Sequence, residues 1–228
     1  VPLHTLRKEG MKIFLDTADH ESIASRLGTG LIDGVTTNPT TLSQVAHPRA
    51  TIEKICALLP DGDISVEVTE KAPDAVYAQA HRIAQIAENI IVKIPCLPEY
   101  IPVINRLTDD EIALNITLVF SPFQALMMAR CGAMYVSPFV ARLTENGGDG
   151  ALLLESIRDI FDTYECETEI LAASIRSVEQ ANHAALVGAD VMTVAPAVFD
   201  QLCDHPLSRA GAEKFAADWA KRSHTCFP

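Results

Sequence analysis

One lysine lies in the middle of an apolar run, Ile90-Ile91-Val92-Lys93-Ile94-Pro95. It is one of seven lysines in the chain and the only one so placed. A lysine among apolar neighbours needs a counter-charge or must give up its proton. Desolvation favours the neutral amine, and a neutral amine is a nucleophile toward carbonyls. The chemistry this suggests is a Schiff base, in which the substrate carbonyl becomes an electron sink. Cleavage of the adjacent carbon–carbon bond then needs a base for the β-hydroxyl proton. Asp16 and Glu67 are the carboxylates available for that step. The competing reading is a structural ion pair between Lys93 and Glu67 or Asp16.

Spacing ties these residues to one surface. Successive side chains on a strand point to opposite faces. The run at 63–69 separates Ser65, Glu67 and Thr69 from Val66 and Val68. The run at 90–95 sets Ile91, Lys93 and Pro95 opposite Val92 and Ile94. Asn115 and Thr117 oppose Leu114, Ile116 and Leu118. Tyr135, Ser137 and Phe139 oppose Val136, Pro138 and Val140. Ala172, Ser174 and Arg176 oppose Leu171, Ala173 and Ile175. Phe14 shares a face with Asp16, and Thr36 with Asn38. One face thus collects Asp16, Asn38, Glu67, Lys93, Asn115, Thr117, Ser137, Ser174 and Arg176. A single polar strand residue is ordinarily a satisfied structural group. Polar residues at matching depth on seven strands are not what a purely structural sheet needs. Arg176 with Ser174, and Arg142 just beyond, could bind an anionic tail, although a loop arginine is as often simply solvated.

The elements that must position these side chains alternate. Strands are expected near 11–16, 34–38, 63–69, 90–95, 112–118, 134–140, 169–175 and 190–195. Helical patterns lie between them at 20–27, 39–59 (one or two helices), 73–87, 98–107, 122–131, 151–164 and 178–187. Gly28, Gly132 and Gly188 stand where helices should stop. Eight strand–helix units in a chain of 228 residues predict an α/β fold, a closed (β/α)8 TIM barrel. The rival, a doubly wound sheet, usually carries a Gly-rich phosphate loop after its first strand. Here that position reads Leu15-Asp16-Thr17-Ala18-Asp19, without glycine. Residues 1–10 read as an N-terminal extension or tag remnant. Residues 11–228 read as a single barrel domain, including one extra amphipathic C-terminal helix at 208–221 with Phe215 and Trp219 one turn apart.

Totals narrow the class further. About half the chain, 48%, is hydrophobic, which supports a substantial core. The net charge is −12 and no Lys/Arg cluster is present, so nucleic acid is not an expected partner. No apolar run approaches the ~20 residues that cross a bilayer, and no secretory h-region is found. The six cysteines are scattered without a C-x-x-C, which argues against a disulfide framework or zinc site and for reduced thiols in a cytoplasmic protein.

Six stretches carry a family resemblance. They are Phe14-Leu15-Asp16-Thr17-Ala18, Gly34-Val35-Thr36-Thr37-Asn38-Pro39, Val92-Lys93-Ile94-Pro95, Asn115-Ile116-Thr117-Leu118-Val119-Phe120-Ser121, Ser137-Pro138-Phe139-Val140-Ala141-Arg142 and Leu171-Ala172-Ala173-Ser174-Ile175-Arg176. In this order they resemble the transaldolase family, in its short subfamily that also holds the fructose-6-phosphate aldolases. The resemblance implies transfer of a three-carbon dihydroxyacetone unit from a ketose phosphate, such as fructose 6-phosphate or sedoheptulose 7-phosphate, to an aldose phosphate, as in the pentose phosphate pathway. It implies Lys93 as the Schiff-base lysine and Asp16 as acid–base. Glu67 and Thr117 would hold the catalytic water. Asn38, Asn115 and Ser137 would bind hydroxyls of the three-carbon unit. Arg142, Ser174 and Arg176 would grip the phosphate. No metal or organic cofactor is implied. A homo-oligomer, a pentamer or decamer, is implied, with the C-terminal helix crossing to a neighbour; otherwise that helix packs on its own barrel.

Two positions bear on the reaction. Glu67 and Phe139 follow the transaldolase pattern, where the similar fructose-6-phosphate aldolases usually carry Gln and Tyr. Phenylalanine has no hydroxyl to organise a water, so transfer is expected over simple aldol release. The acidic, Gly-rich stretch at 143–150, after the sixth strand and near the expected phosphate site, departs from the family pattern. A sulfonated ketose would offer a similar anionic tail, which keeps a sulfosugar substrate open. A non-catalytic sugar-phosphate-binding barrel is the reading from another class, and the joint presence of Lys93, Asp16 and Glu67 argues against it.

Overall fold

Proline and short polar caps set where the helices begin. In a computed structural model describing residues 10–221, α1 (His20–Leu27) starts after Asp19, whose carboxylate accepts from the Glu21 and Ser22 amides. Helix α2 (Pro39–Leu42) starts after Asn38 in a capping box with Thr41. Proline also stands in the first turn of α3 (Pro48–Leu58) and α4 (Pro73–Ala84). Proline costs nothing at these positions, where the missing N–H has no intrahelical acceptor. A 3-10 turn, Pro98–Tyr100, leads into α5 (Ile101–Asp109). Helix α6 (Pro122–Arg130) follows Ser121 in a second capping box, with Gln124.

The strands are β1 (Lys12–Asp16), β2 (Gly34–Thr36), β3 (Asp63–Glu67), β4 (Ile90–Pro95), β5 (Leu114–Val119), β6 (Tyr135–Pro138), β7 (Glu169–Ile175) and β8 (Val191–Val194). They pair in sequence order, all parallel, and β8 returns to β1, so the sheet closes into an eight-stranded barrel. This is the (β/α)8 architecture that the alternation predicts. The outer face of the sheet packs on the helices through residues such as Leu15, Val35, Val66, Val92, Ile94, Ile116 and Val136. The inner face carries a separate apolar plug of Phe14, Ile91, Tyr135, Leu171, Ala173 and Val191. Gly34 makes room for it: a Cβ there would lie 2.6 Å from the Phe14 ring and from the Asp63 carbonyl oxygen. Beneath the plug, Lys12 Nζ donates to Glu169 and to the Tyr135 hydroxyl, which itself donates to Asp63. Burial and the adjacent Asp63 push the Tyr135 hydroxyl far above its ordinary pKa.

Several expectations need correction. The strand expected at 134–140 ends at Pro138, and Val140 opens a helix instead, α7 (Val140–Glu145). Phe139 keeps only an isolated bridge to Ala173. Helix α8 follows (Gly150–Thr163), then α9 (Val178–Val187), which ends at Gly188 in the left-handed region, φ 82°. Helix α10 (Pro196–Leu202) was not anticipated either; both it and α7 are too short for a periodic signal. Strand alternation also fails in two places. Leu118 has φ 58° and Ser174 has φ 56°, and the sheet register shifts at both. Leu171 and Ala173 therefore face the barrel interior, and Ala172 faces the helices, the reverse of the expected assignment. Leu118 turns toward the interior pocket rather than the helices.

The C-terminal helix α11 runs Pro206–Ala220 and buries none of its residues. Apart from Gly10, the N-terminal extension expected at 1–10 lies outside the described residues. Among the described residues no helix is long and apolar enough to cross a membrane.

Candidate active site

The apolar plug and a polar layer lie two residues apart on the same strands. Phe14 is followed by Asp16, Ile91 by Lys93, Tyr135 by Ser137 and Val191 by Thr193. The period of two puts each pair on one face, the second member nearer the C-terminal ends of the strands. The plug seals the barrel below, and the polar layer floors a pocket of about 500 Å³ above. Its lining includes Asp16, Asn38, Glu67, Lys93, Ser137 and Phe139, with Arg142, Ser174 and Arg176 toward the mouth. This is the end of the barrel at which catalytic groups of such folds gather.

Lys93 is 5% exposed. Its Nζ lies 3.2 Å from Glu67 Oε2 and donates to the Thr37 carbonyl at 3.2 Å. Glu67 and Lys93 are register partners on β3 and β4, and Lys93 pairs in turn with Asn115 on β5. The ion pair weighed as a structural alternative is thus present, yet both members line the open pocket. A purely structural pair gains nothing from that placement.

Asp16 accepts from Thr36 Oγ1 at 3.2 Å and from Asn38 Nδ2 at 3.4 Å. Asn38 is held for this by its other atom: its Oδ1 caps α2 by accepting from the Thr41 amide. Thr36 Oγ1 also meets Thr193 Oγ1 at 2.7 Å.

Asn115 and Thr117 stand apart from the rest. Both are fully buried, and neither borders the pocket directly. Asn115 donates to Ser65 Oγ and accepts from Ser137 Oγ at 2.6 Å, so it acts on the pocket through Ser137. Thr117 Oγ1 is buried with no hydrogen-bond partner among the described residues. Unsatisfied buried hydroxyls are uncommon and call for a partner such as a bound water.

At the mouth, the Arg142 guanidinium lies 4.7 Å from the Phe139 ring centroid. Phe139 in turn meets Phe120 edge-on, with centroids 5.8 Å apart. Arg176 donates to Glu145, at the last position of α7. Ser174 and Arg176 reach the pocket through the left-handed kink at Ser174, not through the simple alternation expected of them. Sequence reasoning did not single out Thr193, Leu118 or Glu145. For Thr193 a signal existed, since it stands two residues after Val191 on a strand already identified. Among the described residues no group of three or more His, Cys, Asp or Glu side chains is placed to hold a metal ion.

The sequence profile described as "Transaldolase/Fructose-6-phosphate aldolase" matches residues 13–226. A probable transaldolase of Caulobacter vibrioides is 48% identical over 211 residues, which is 92% of this chain and 97% of that protein. A probable transaldolase of Aquifex aeolicus is 43% identical over 211 residues, again 92% and 97% of the two chains. Among solved structures, the carboxyl transferase domain of Rhizobium etli pyruvate carboxylase superposes with a TM-score of 0.61 at 11% identity. That match covers 84% of this chain and 41% of the other, and it speaks for the barrel alone.

Proposed function

We propose, for a chain that belongs to the transaldolase/fructose-6-phosphate aldolase family, that the barrel is a Schiff-base transaldolase. It moves a dihydroxyacetone unit from a ketose phosphate, fructose 6-phosphate or sedoheptulose 7-phosphate, to an aldose phosphate, the exchange used in the pentose phosphate pathway. The observation that carries this reading is the buried Lys93 amine on the pocket floor, 3.2 Å from Glu67, in one pocket with Asp16.

Lys93 Nζ attacks the keto carbon once its proton has passed to an acceptor, and Glu67 is the group within reach. The carbinolamine then loses water, with Glu67 and the Thr117 hydroxyl holding that water, which leaves an iminium. Asp16 takes the proton of the β-hydroxyl. The electrons of that O–H bond form the new aldehyde carbonyl. The electrons of the bond between the α and β carbons move into the iminium and give an enamine. An acceptor aldehyde reverses these steps, and Asp16 returns the proton. Asn38, Ser137 and, behind it, Asn115 hold the hydroxyls of the three-carbon unit. Arg142, Ser174 and Arg176 hold the anionic tail, where a guanidinium can engage two oxygens at once. The reading needs no metal or organic cofactor.

Phe139 favours transfer over release. Its ring stacks with Arg142 and offers no hydroxyl to activate a water against the enamine. Helix α11 supports an oligomer. It leaves Leu207 and Phe215 about three-quarters exposed, which suits packing on a neighbour in a pentamer or decamer. We place the protein in the cytoplasm, in keeping with the unpaired cysteines among the described residues. Residues 11–228 would act as one folding unit, of which 222–228 lie outside the described residues.

The test is borohydride trapping with fructose 6-phosphate, read by intact mass and peptide map. An adduct on Lys93 is expected in the wild type and none in Lys93→Met. A folded wild-type protein that takes no adduct from either ketose phosphate or from a sulfonated ketose would refute the Schiff base. Turnover without an acceptor aldehyde would shift the reading to an aldolase.

A further inference from the structure

Asp16 does not stand alone on β1. Its neighbours across the sheet are β8 on one side and β2 on the other. Thr36 on β2 is its register partner, and Thr193 on β8 is the partner of Phe14, one layer below. The two threonine hydroxyls meet at 2.7 Å, spanning β1 inside the barrel. Both side chains are buried, at 2% and 3% exposure, on the floor of the pocket.

Counting protons gives this chain a direction when Asp16 is the carboxylate base of the proposed reaction. Each hydroxyl has one proton to give. An ionised Asp16 can only accept, so Thr36 spends its proton on Asp16, 3.2 Å away. Thr36 can then only accept from Thr193. The hydroxyl of Thr193 is then the donor in the 2.7 Å contact, in which the distance alone would let either atom donate. A donor that is itself hydrogen-bonded is polarised and holds its acceptor more firmly.

We infer that Thr193 is a positioning residue for carbon–carbon bond cleavage, acting through Thr36 to orient and charge-stabilise the Asp16 carboxylate. This rests on the assignment of Asp16 as the base in the proposed reaction. It goes beyond that assignment by naming a residue on the eighth strand that need not touch substrate. Its effect should fall on cleavage alone, because Lys93 is held by other groups, Glu67 and the Thr37 carbonyl.

Thr193→Val keeps the shape and removes the donor; Thr193→Ser keeps the donor. Turnover of fructose 6-phosphate with an acceptor should fall roughly tenfold in the valine variant, the scale of one neutral hydrogen bond. The serine variant should recover most of it. Borohydride trapping separates the steps. The valine variant should trap as much total adduct on Lys93 as the wild type, with a larger share carrying the intact six-carbon sugar phosphate and a smaller share the three-carbon fragment. A simple packing defect would depress total adduct and turnover together, and that outcome overturns the inference. So does a valine variant with wild-type turnover. A wild-type protein that takes no adduct at all would instead overturn the Schiff-base reading itself, and this inference with it.

Discussion

Arg176 donates to Glu145 across the mouth of the barrel, so the cation proposed to hold an anionic tail already holds a carboxylate. Both side chains are about half exposed, at 54% and 52%, and a pair this open contributes little to stability. On the proposed function its effect is on binding, since Glu145 competes with a substrate phosphate for Arg176.

Glu145→Gln should therefore lower KM for a phosphorylated ketose by up to about fivefold, the range of an exposed ion pair. The advantage should shrink as salt screens the original pair. The measurement is KM for the variant and the wild type at low and high ionic strength. An unchanged KM at low salt would mean that Glu145 does not compete for Arg176.

Thr117 offers a test in which stability and activity part company. Its hydroxyl is fully buried and has no partner among the described residues. Replacing the hydroxyl with a methyl group of similar shape leaves no protein group newly unpaired, so the cost to folding is small. Thr117→Val should thus unfold within a few degrees of the wild type while losing turnover, because the hydroxyl that would hold the catalytic water is gone. A variant that keeps full turnover would remove Thr117 from the mechanism.

Burial sets the order in which the cysteines react. Cys96 is pushed up to about 11 from its ordinary 9.0 by burial, with Cys131 nearby adding to the effect. Thiolate is the reactive form. At neutral pH the exposed Cys203 should alkylate first among the described cysteines, and the buried Cys96 not until the protein unfolds. The same shift predicts a stability trend. A thiol whose folded pKa is raised favours folding below 9.0, and this contribution is lost as pH climbs toward about 11. Alkylation followed by peptide mass mapping, and urea melts across that alkaline window, check the two statements.

Helix α11 gives a test of the proposed assembly. It buries no residue on its own barrel and exposes Phe215 at 73%. Phe215→Lys should lower the molar mass seen by light scattering and leave the barrel's circular dichroism unchanged. A particle of wild-type mass would place the oligomer contact elsewhere.

How much of this was legible in the residues differs from strand to strand. On β1, β4 and β6 a strict period of two separated Phe14 and Asp16, Ile91 and Lys93, and Tyr135 and Ser137 from their helix-facing neighbours, and the pocket is built on that separation. On β7 the same rule put Ala172 inside and Leu171 outside, and the structure has them reversed. Ser174 still reaches the pocket because the chain turns left-handed there and resets the alternation. Nothing local announces such a residue when it is not glycine, since neither Leu118 nor Ser174 favours positive φ.

What the sequence determined by itself was the alternation of strands and helices, and with it the barrel, because hydrophobic period and proline placement are local properties of the chain. It also put one lysine and two carboxylates on a shared inner face. Which of the two carboxylates meets Lys93, which hydroxyls support Asp16 and which acid occupies Arg176 were decided only by the tertiary structure. Those contacts join β3 to β4, β8 to β2 and α7 to the end of β7, and such distances are set when the barrel closes, not by any segment's own preference.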